Sequence, residues 1–175
     1  MFLKEYIQRK TLKKISNRRV PKYISLPEIT SLGILFNFEE DNILDTIKGL
    51  IEILDSRSIK FMALGINNDK HLYPTEIIDH RIKVLNRKDL NYAHVPNISL
   101  IAPFSDKEFD LLVDFGSKYF FPNDFIAHSS KATFKIGRLN YKGNPFDLIL
   151  DNSKQGTPRR YLNSLIHYLS SITSI

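Results

Sequence analysis

Residues 108–138 constrain the fold more than any other part of the chain. Residues 109–115 are an apolar run that two aspartates interrupt and a Gly-Ser pair ends, which is typical of a short strand buried on both faces. A Pro-Asn-Asp sequence then opens a predicted helix over residues 122–130, and residues 132–137 form the next predicted strand. Strand, helix and strand make one βαβ unit, which joins two parallel strands. The rest of the chain is predicted to flank this unit.

An earlier part of the chain has the same pattern. Residues 31–36 and 58–65 are predicted strands, and the segment 39–55 between them repeats apolar side chains close to every 3.6 positions, as an amphipathic helix does. A right-handed crossover places these two strands side by side and parallel. Residues 80–85 and 145–150 are further predicted strands.

The chain closes with a predicted amphipathic helix over residues 159–172. In residues 86–103 a helical turn can begin at residues 89–90, and the prolines are typical of loops. Alternating strands and helices predict an α/β three-layer sandwich with a mostly parallel, Rossmann-like sheet of strand order near 3-2-1-4-5. We expect a single domain over residues 23–175, preceded by a helical arm over residues 1–22. Four side chains are predicted to be buried in the sheet: Leu35, Met62, Leu112 and Ile136.

Charge is distributed unevenly along the chain. The net charge is +6, but residues 1–22 alone carry +7, because they hold eight basic residues and one acid, Glu5. The basic residues of this arm are Lys4, Arg9, Lys10, Lys13, Lys14, Arg18, Arg19 and Lys22. Such a cluster attracts polyanions, so the arm is predicted to bind RNA or a ribonucleoprotein.

Two alternatives to RNA binding stay open for the predicted helix over residues 2–17. Phe2, Leu3, Tyr6 and Ile7 gather loosely on one side of it, so its first turn can instead dock on the domain while the rest is solvated. An anionic membrane surface is a weaker alternative, because the helix has no clean apolar face.

The composition narrows the class of protein. The chain has no cysteine, which excludes disulfides, thiolate metal sites and a cysteine nucleophile, and favours the cytoplasm. No secretory signal pattern opens the chain, and no apolar run reaches the ~20 residues of a membrane span.

The predicted topology also places a crevice at the carboxyl ends of the strands, where ligands bind in doubly wound sheets. Its predicted rim consists of Asn37, Glu39, Glu40, Asp114, Gly116, Ser117 and Arg138. Glu39, Glu40 and Asp41 can supply a general base there or complement the start of a helix. Asp114 can face a ligand or bond nearby backbone amides in a turn.

Other polar residues have two interpretations each. The turn over residues 135–138 can hold one phosphate, or Arg138 can cap the sheet against Asp147 or Asp151. Asp110 is expected at a sheet edge or paired with Lys135. His128 is a candidate crevice residue, although a histidine without a catalytic role is the simpler interpretation. The five histidines lack metal-ligand spacing and no phosphate-loop or dinucleotide motif occurs, so no metal and no cofactor are predicted.

Two resemblances extend over different lengths of the chain. SLGILF, FDLLVDF, FIAHSSKATFKIGR and FDLIL, followed by the closing helix, resemble an uncharacterised domain family of Bacteroidetes-type bacteria, which implies no activity. FDLLVDF and ATFKIGR are similar to the amino-terminal half of heptosyltransferase-type glycosyltransferases. That family carries a Gly-rich turn ending in Gly-Asp after its first strand and has a second nucleotide-sugar domain. This chain has NFEED at that turn and no room for the second domain.

The sequence therefore predicts a non-enzymatic cytoplasmic protein that docks on RNA through its basic helix. The alternative is an orphan glycosyltransferase-like or nucleotide- and phosphate-binding domain that uses the crevice. The oligomeric state is not predicted.

Overall fold

A computed structural model describes residues 2–15, 19–69, 79–150 and 156–171. Its strands form one sheet in the order β3-β2-β1-β4-β5-β6, with every neighbouring pair parallel. The strands are β1 (Ser31–Asn37), β2 (Lys60–Asn67), β3 (Ile82–Asn86), β4 (Leu111–Asp114), β5 (Phe134–Gly137) and β6 (Leu148–Ile149). The helices are α1 (Phe2–Lys13), α2 (Ile43–Ser56), α3 (Ile98–Ser105), α4 (Phe121–Ser129) and α5 (Pro158–Ser171). Short 3-10 turns lie at Leu26–Glu28 and Arg87–Asp89.

The sheet confirms the predicted α/β topology, and the strand predicted over residues 145–150 is present as β6 beside β5. β1 lies in the middle, where Leu35 is aligned with Leu64 of β2 on one side and with Asp114 of β4 on the other. The chain builds outward from β1 in one direction through β2 and β3, and in the other through β4, β5 and β6. The strand order therefore reverses between β1 and β4, which positions a crevice at their carboxyl ends.

Two apolar layers cover the sheet, one on each face. On one face α2 and α5 pack against side chains such as Ile34 and Val113. On the other face α3 and α4 pack against Leu35 and Leu112, and α1 adds Ile7 and Leu12 to the same layer. Because the sheet is buried on both faces, the sequences of its strands are nearly continuous apolar runs.

Three of the four predicted core residues are fully covered, namely Leu35, Leu112 and Ile136. Met62 is only partly covered, because it packs at the margin of the α3/α4 layer.

Several element boundaries differ from the prediction for local reasons. α2 begins at Ile43 and not at residue 39, because Asn42 adopts a left-handed backbone conformation with φ of 54° and the preceding residues form turns. β2 likewise begins after Ser58, whose φ is 57°. α3 was not predicted, since Pro103 lies inside this eight-residue helix; the Asn97 side chain caps its start.

The predicted pairing of Asp110 with Lys135 is wrong. Oδ2 of Asp110 accepts hydrogen bonds from the backbone N–H groups of Thr30 and Ser31 at 2.8 and 2.9 Å, which fixes the entry into β1. The buried Lys135 donates instead from Nζ to the carbonyl oxygen of Ala127 at 2.6 Å, near the C-terminus of α4. Burial lowers the pKa of Lys135 to about 7.

Candidate functional site

A cleft of about 480 Å³ opens at the carboxyl ends of β1 and β4. This volume lies within the range of about 300–1,000 Å³ that is usual for small-molecule sites. Five segments build its walls: the β1–α2 turn, the residue after β2, the β4–α4 loop, the residue after β5 and the start of α5. The lining residues are Asn37, Glu39, Glu40, Asp41, Asn68, Ser117, Lys118, Tyr119, Phe120, Arg138, Gly156, Thr157 and Pro158.

Glu40 and Arg138 tie these walls together. Arg138 is 1% exposed, and its Nη1 donates to Oε2 of Glu40 and to the carbonyl oxygen of Phe115, both at 3.1 Å. Its Nη2 donates to the carbonyl oxygen of Gly156. Oε1 of Glu40 accepts from the backbone N–H of Ser117 at 2.7 Å. These charge-assisted bonds hold the β1–α2 turn, the β4–α4 loop and the start of α5 in one arrangement.

Asn37 lies at the end of β1 and lines the cleft. Its side chain is deeply covered, with 7% of the residue exposed, and its Oδ1 accepts no hydrogen bond from the described part of the chain. A buried carbonyl oxygen without a donor costs roughly 1–3 kcal/mol. Such an atom at a cleft wall is a candidate ligand contact.

Asp114 is the last residue of β4 and lies beside the cleft. Its side chain accepts hydrogen bonds that stabilise the turn after β4. Its Oδ1 accepts from the backbone N–H of Gly116 at 3.0 Å and from Nδ2 of Asn123 at 3.1 Å. Burial raises the pKa of the Asp114 carboxyl to about 6, and the charges of Glu40 and Asp124 add to this rise. The geometry thus fits the turn-forming role of Asp114.

The structure brings together part of the predicted crevice. Asn37, Glu39, Glu40, Ser117 and Arg138 line the same cleft, while Asp114 and Gly116 line a small cavity that shares the β4–α4 loop with it. His128 does not line this cleft: it lies beside Asp124 and Gly143, with Nε2 3.3 Å from Oδ1 of Asp124. Apart from Asp41, the remaining lining residues were not predicted individually, and the topology of the sheet explains their position.

Sequence reasoning missed the contributions of Asn68 and of residues 118–120 and 156–158. In a parallel sheet, the N-terminus of each crossover helix faces the edge where the strands end. Topology alone therefore places the start of α5 and the end of β2 at this edge. The predicted capping of Asp147 by Arg138 is wrong, because Asp147 accepts from Arg19 and Arg138 pairs with Glu40. Asp151 lies outside the described residues.

The basic residues of the first segment divide into two groups. Arg9, Lys10, Lys13, Lys14 and Lys22 are exposed, and within the described residues none of them pairs with a carboxylate. Arg19 is bound to the domain, since it contacts Asp147 at 2.8 Å and donates to the carbonyl oxygens of Thr133 and Pro145. Lys4 lies beside the ring of His94, with Nζ 3.4 Å from Nδ1. Arg18 lies outside the described residues.

Of the four residues predicted to dock α1 on the domain, only Ile7 does so. Ile7, Leu12 and Ile15 pack against the α3/α4 layer, and Nε2 of Gln8 donates to the carbonyl oxygen of Ala93 at 2.8 Å. The predicted docking residues of the first turn point outward instead: Phe2, Leu3 and Tyr6 are 85%, 63% and 61% exposed. At about 100° per residue, these three and the four cations from Arg9 to Lys14 share the outer arc of the helix.

Comparison with known proteins places the chain in one family. A family described as a family of unknown function, DUF6913, matches residues 2–172. The chain belongs to this family. The expectation of an uncharacterised family is therefore confirmed. No curated protein and no solved structure matches the chain.

Two kinds of feature are absent from the described residues. No group of three or more metal-ligating side chains gathers there, and no helix among them has the length and apolarity to span a membrane.

Proposed function

We propose that this protein docks on RNA through the outer face of α1. The observation that carries the proposal is the exposed group of Arg9, Lys10, Lys13 and Lys14, which no described carboxylate neutralises. Most basic side chains elsewhere are balanced by acids, because residues outside the first 22 carry a net charge of −1. The docking element is a helix fixed on the domain by Ile7 and Leu12.

Apolar and basic side chains occupy opposite ends of this outer face. Phe2 and Tyr6 lie in the first turns and present exposed rings, whereas the cations lie in the second half of the helix and just beyond it. Single-stranded nucleic acid binds to such pairs of features, because cations contact phosphates while bases stack on aromatic rings.

An anionic membrane fits this face less well. A helix that lies in a membrane interface carries an apolar stripe along its length. Here the exposed apolar residues end at Tyr6, and the next ones, Ile7 and Leu12, face the domain. RNA is therefore the polyanion that we propose, in the cytoplasm as the cysteine-free sequence suggests.

The experiment compares two variants of equal charge. One carries glutamine in place of Arg9, Lys10, Lys13 and Lys14. The control carries glutamine in place of Lys48, Lys60, Lys83 and Lys88, four exposed lysines elsewhere. Fluorescence anisotropy measures binding of a labelled single-stranded RNA with a 3′-phosphate.

We expect the α1 variant to lose most of its affinity at low salt and the control variant to keep it. Equal loss in both variants would contradict a docking face and indicate unspecific charge attraction. If the wild type bound anionic vesicles but not RNA, the partner of α1 would be a membrane surface and not RNA.

A second candidate function rests on the cleft. The predicted glycosyltransferase-like or nucleotide- and phosphate-binding activity needs a ligand at the carboxyl ends of β1 and β4. The Oδ1 of Asn37 has no donor among the described residues, which favours a ligand part that donates a hydrogen bond, such as the sugar of a nucleoside, over a phosphate. For this second candidate we propose ligand binding in the cleft and no transfer reaction.

A further inference from the structure

The cleft beside β1 and β4 is a preformed site that RNA docking by α1 does not use. The Glu40–Arg138 pair and the bond from Ser117 fix its walls without any ligand. Asn37 belongs to its lining, and the Oδ1 of this side chain is deeply buried and has no donor among the described residues. A ligand that donates a hydrogen bond to Oδ1 would remove the cost of this unpaired oxygen.

The charges of the lining argue against a phosphate group. Three carboxylates, those of Glu39, Glu40 and Asp41, face two cations, Lys118 and Arg138. The guanidinium of Arg138 is already engaged by Glu40 and two backbone carbonyls. Among the described lining residues only Lys118 is left to balance a phosphate, and the carboxylates repel the phosphate.

The same lining argues against an organic cation. Glu40 is neutralised by Arg138 at 3.1 Å, and Lys118 stands in the β4–α4 loop of the same cleft. What remains is a set of acceptors without strong excess charge: Oδ1 of Asn37 and the carboxylates of Glu39 and Asp41. Oε1 of Glu39 accepts from the backbone N–H of Asn68 at 2.8 Å, which orients this carboxylate.

The lining also contains aromatic side chains. They belong to a different segment of the chain from the acceptor residues. Tyr119 and Phe120 belong to the β4–α4 loop, and the Tyr119 ring is 53% exposed. Hydroxyl groups donate to carboxylate and amide oxygens, and the less polar face of a sugar or base packs on an aromatic ring. A carboxylate at the end of a strand also binds a ribose diol in dinucleotide-binding folds.

We propose that this cleft binds a neutral ligand that presents a vicinal diol on a sugar ring. Asn37, Glu39 and Asp41 accept its hydroxyl hydrogens, and Tyr119 packs against its ring. A ribonucleoside and a free sugar share this chemistry.

The test uses chemical shifts of backbone amides in isotope-labelled protein. The probes are adenosine, uridine and methyl glucoside. The matched controls are 2′,3′-dideoxyadenosine, which lacks the diol, inorganic phosphate and putrescine. We expect the diol probes to shift the amides of Asn37 and Ser117, and the control compounds to leave them in place. Shifts by adenosine and uridine alone would identify a nucleoside site, and shifts by methyl glucoside alone a sugar site.

Variants separate ligand contact from structural support. Asn37→Leu replaces the unpaired amide by an apolar side chain of similar size, so we expect binding to weaken about tenfold, the equivalent of one hydrogen bond, with no loss of thermal stability. Asn163→Leu, at an exposed position of α5, is the control for the substitution. Glu39→Gln keeps an oxygen for the Asn68 N–H and is also expected to weaken binding, even if Asn37→Leu fails to fold.

Three results would overturn the proposal. The first is equal binding of adenosine and its dideoxy analogue, or the absence of shifts with every diol probe. The second is stronger binding of phosphate or putrescine. The third is undiminished binding by the Glu39→Gln protein. None of these results bears on RNA docking, because the RNA used there ends in a 3′-phosphate and carries no vicinal diol.

Discussion

Replacing Asp114 by asparagine is expected to stabilise the protein in a pH-dependent way. The carboxyl group is 6% exposed, and its Oδ1 accepts from the N–H of Gly116 and from Nδ2 of Asn123. The substitution Asp114→Asn keeps an oxygen for both donors but introduces a side chain that cannot ionise. The variant therefore removes the buried charge and leaves the hydrogen bonds in place.

The magnitude follows from the pKa of Asp114, which burial raises from 3.8 to about 6. The folded protein holds this proton more tightly than the unfolded chain does. The stabilisation that comes from protonated Asp114 is thus fully present below about pH 4 and is lost as the pH rises through about 6. A shift of this size corresponds to roughly 3 kcal/mol at about 1.4 kcal/mol per unit of pKa. Between about pH 4 and pH 8, Asp114→Asn should therefore gain about 2–3 kcal/mol relative to the wild type.

Urea unfolding of both proteins across this pH range measures the difference. Glu52→Gln, at an exposed position of α2, is the control and should show no comparable trend. Asp114→Ala should instead lose roughly 1–3 kcal/mol at low pH, because it leaves the two donors without an acceptor. A free-energy difference between wild type and Asp114→Asn that does not change with pH would refute the buried charge.

Two further substitutions test the packing around the cleft. Arg138→Leu should cost about 3–5 kcal/mol in urea unfolding, because it leaves the carboxylate of Glu40 without its buried partner; a loss below about 1 kcal/mol would show that the pair does not hold the walls. Tyr161→Phe should leave the melting temperature unchanged or raise it, since the hydroxyl is buried and has no partner among the described residues; a clear fall would show that the hydroxyl is hydrogen bonded.

Much of the fold was predictable because its signals are local. The apolar run before Gly116 and the periodic residues of α2 indicate strand and helix directly, and the analogy with doubly wound folds then predicts the order of the strands. The position of the crevice follows from the same order. The short helix α3 was not predictable, since Pro103 and its length of eight residues resemble a loop.

The chemistry of the site was less predictable because it depends on contacts between distant parts of the chain. Arg138 pairs with Glu40, which lies 98 positions earlier, and Arg19 pairs with Asp147, which lies 128 positions later. The unpaired oxygen of Asn37 depends on burial in three dimensions, which no sequence pattern reports. Arg19 was assigned to the arm on charge alone, whereas the structure bonds it to the domain.

The salt dependence of RNA affinity adds a quantitative limit to the docking proposal. Five exposed cations among the described residues of the first 22 are available for phosphates. At about 0.7–0.9 per contact, log K should fall against log salt with a slope of about −3.5 to −4.5 if all five bind. A much steeper slope would require contacts beyond this segment.

Mapping the RNA on the protein tests the central claim most directly. A 3′-phosphorylated single-stranded RNA is titrated into isotope-labelled protein at low salt, and the amide chemical shifts are followed. We predict that the shifts concentrate in α1 and the residues just after it, and that the amide of Asn37 does not move. No shift at low salt, or shifts confined to residues outside α1, would contradict docking through this helix.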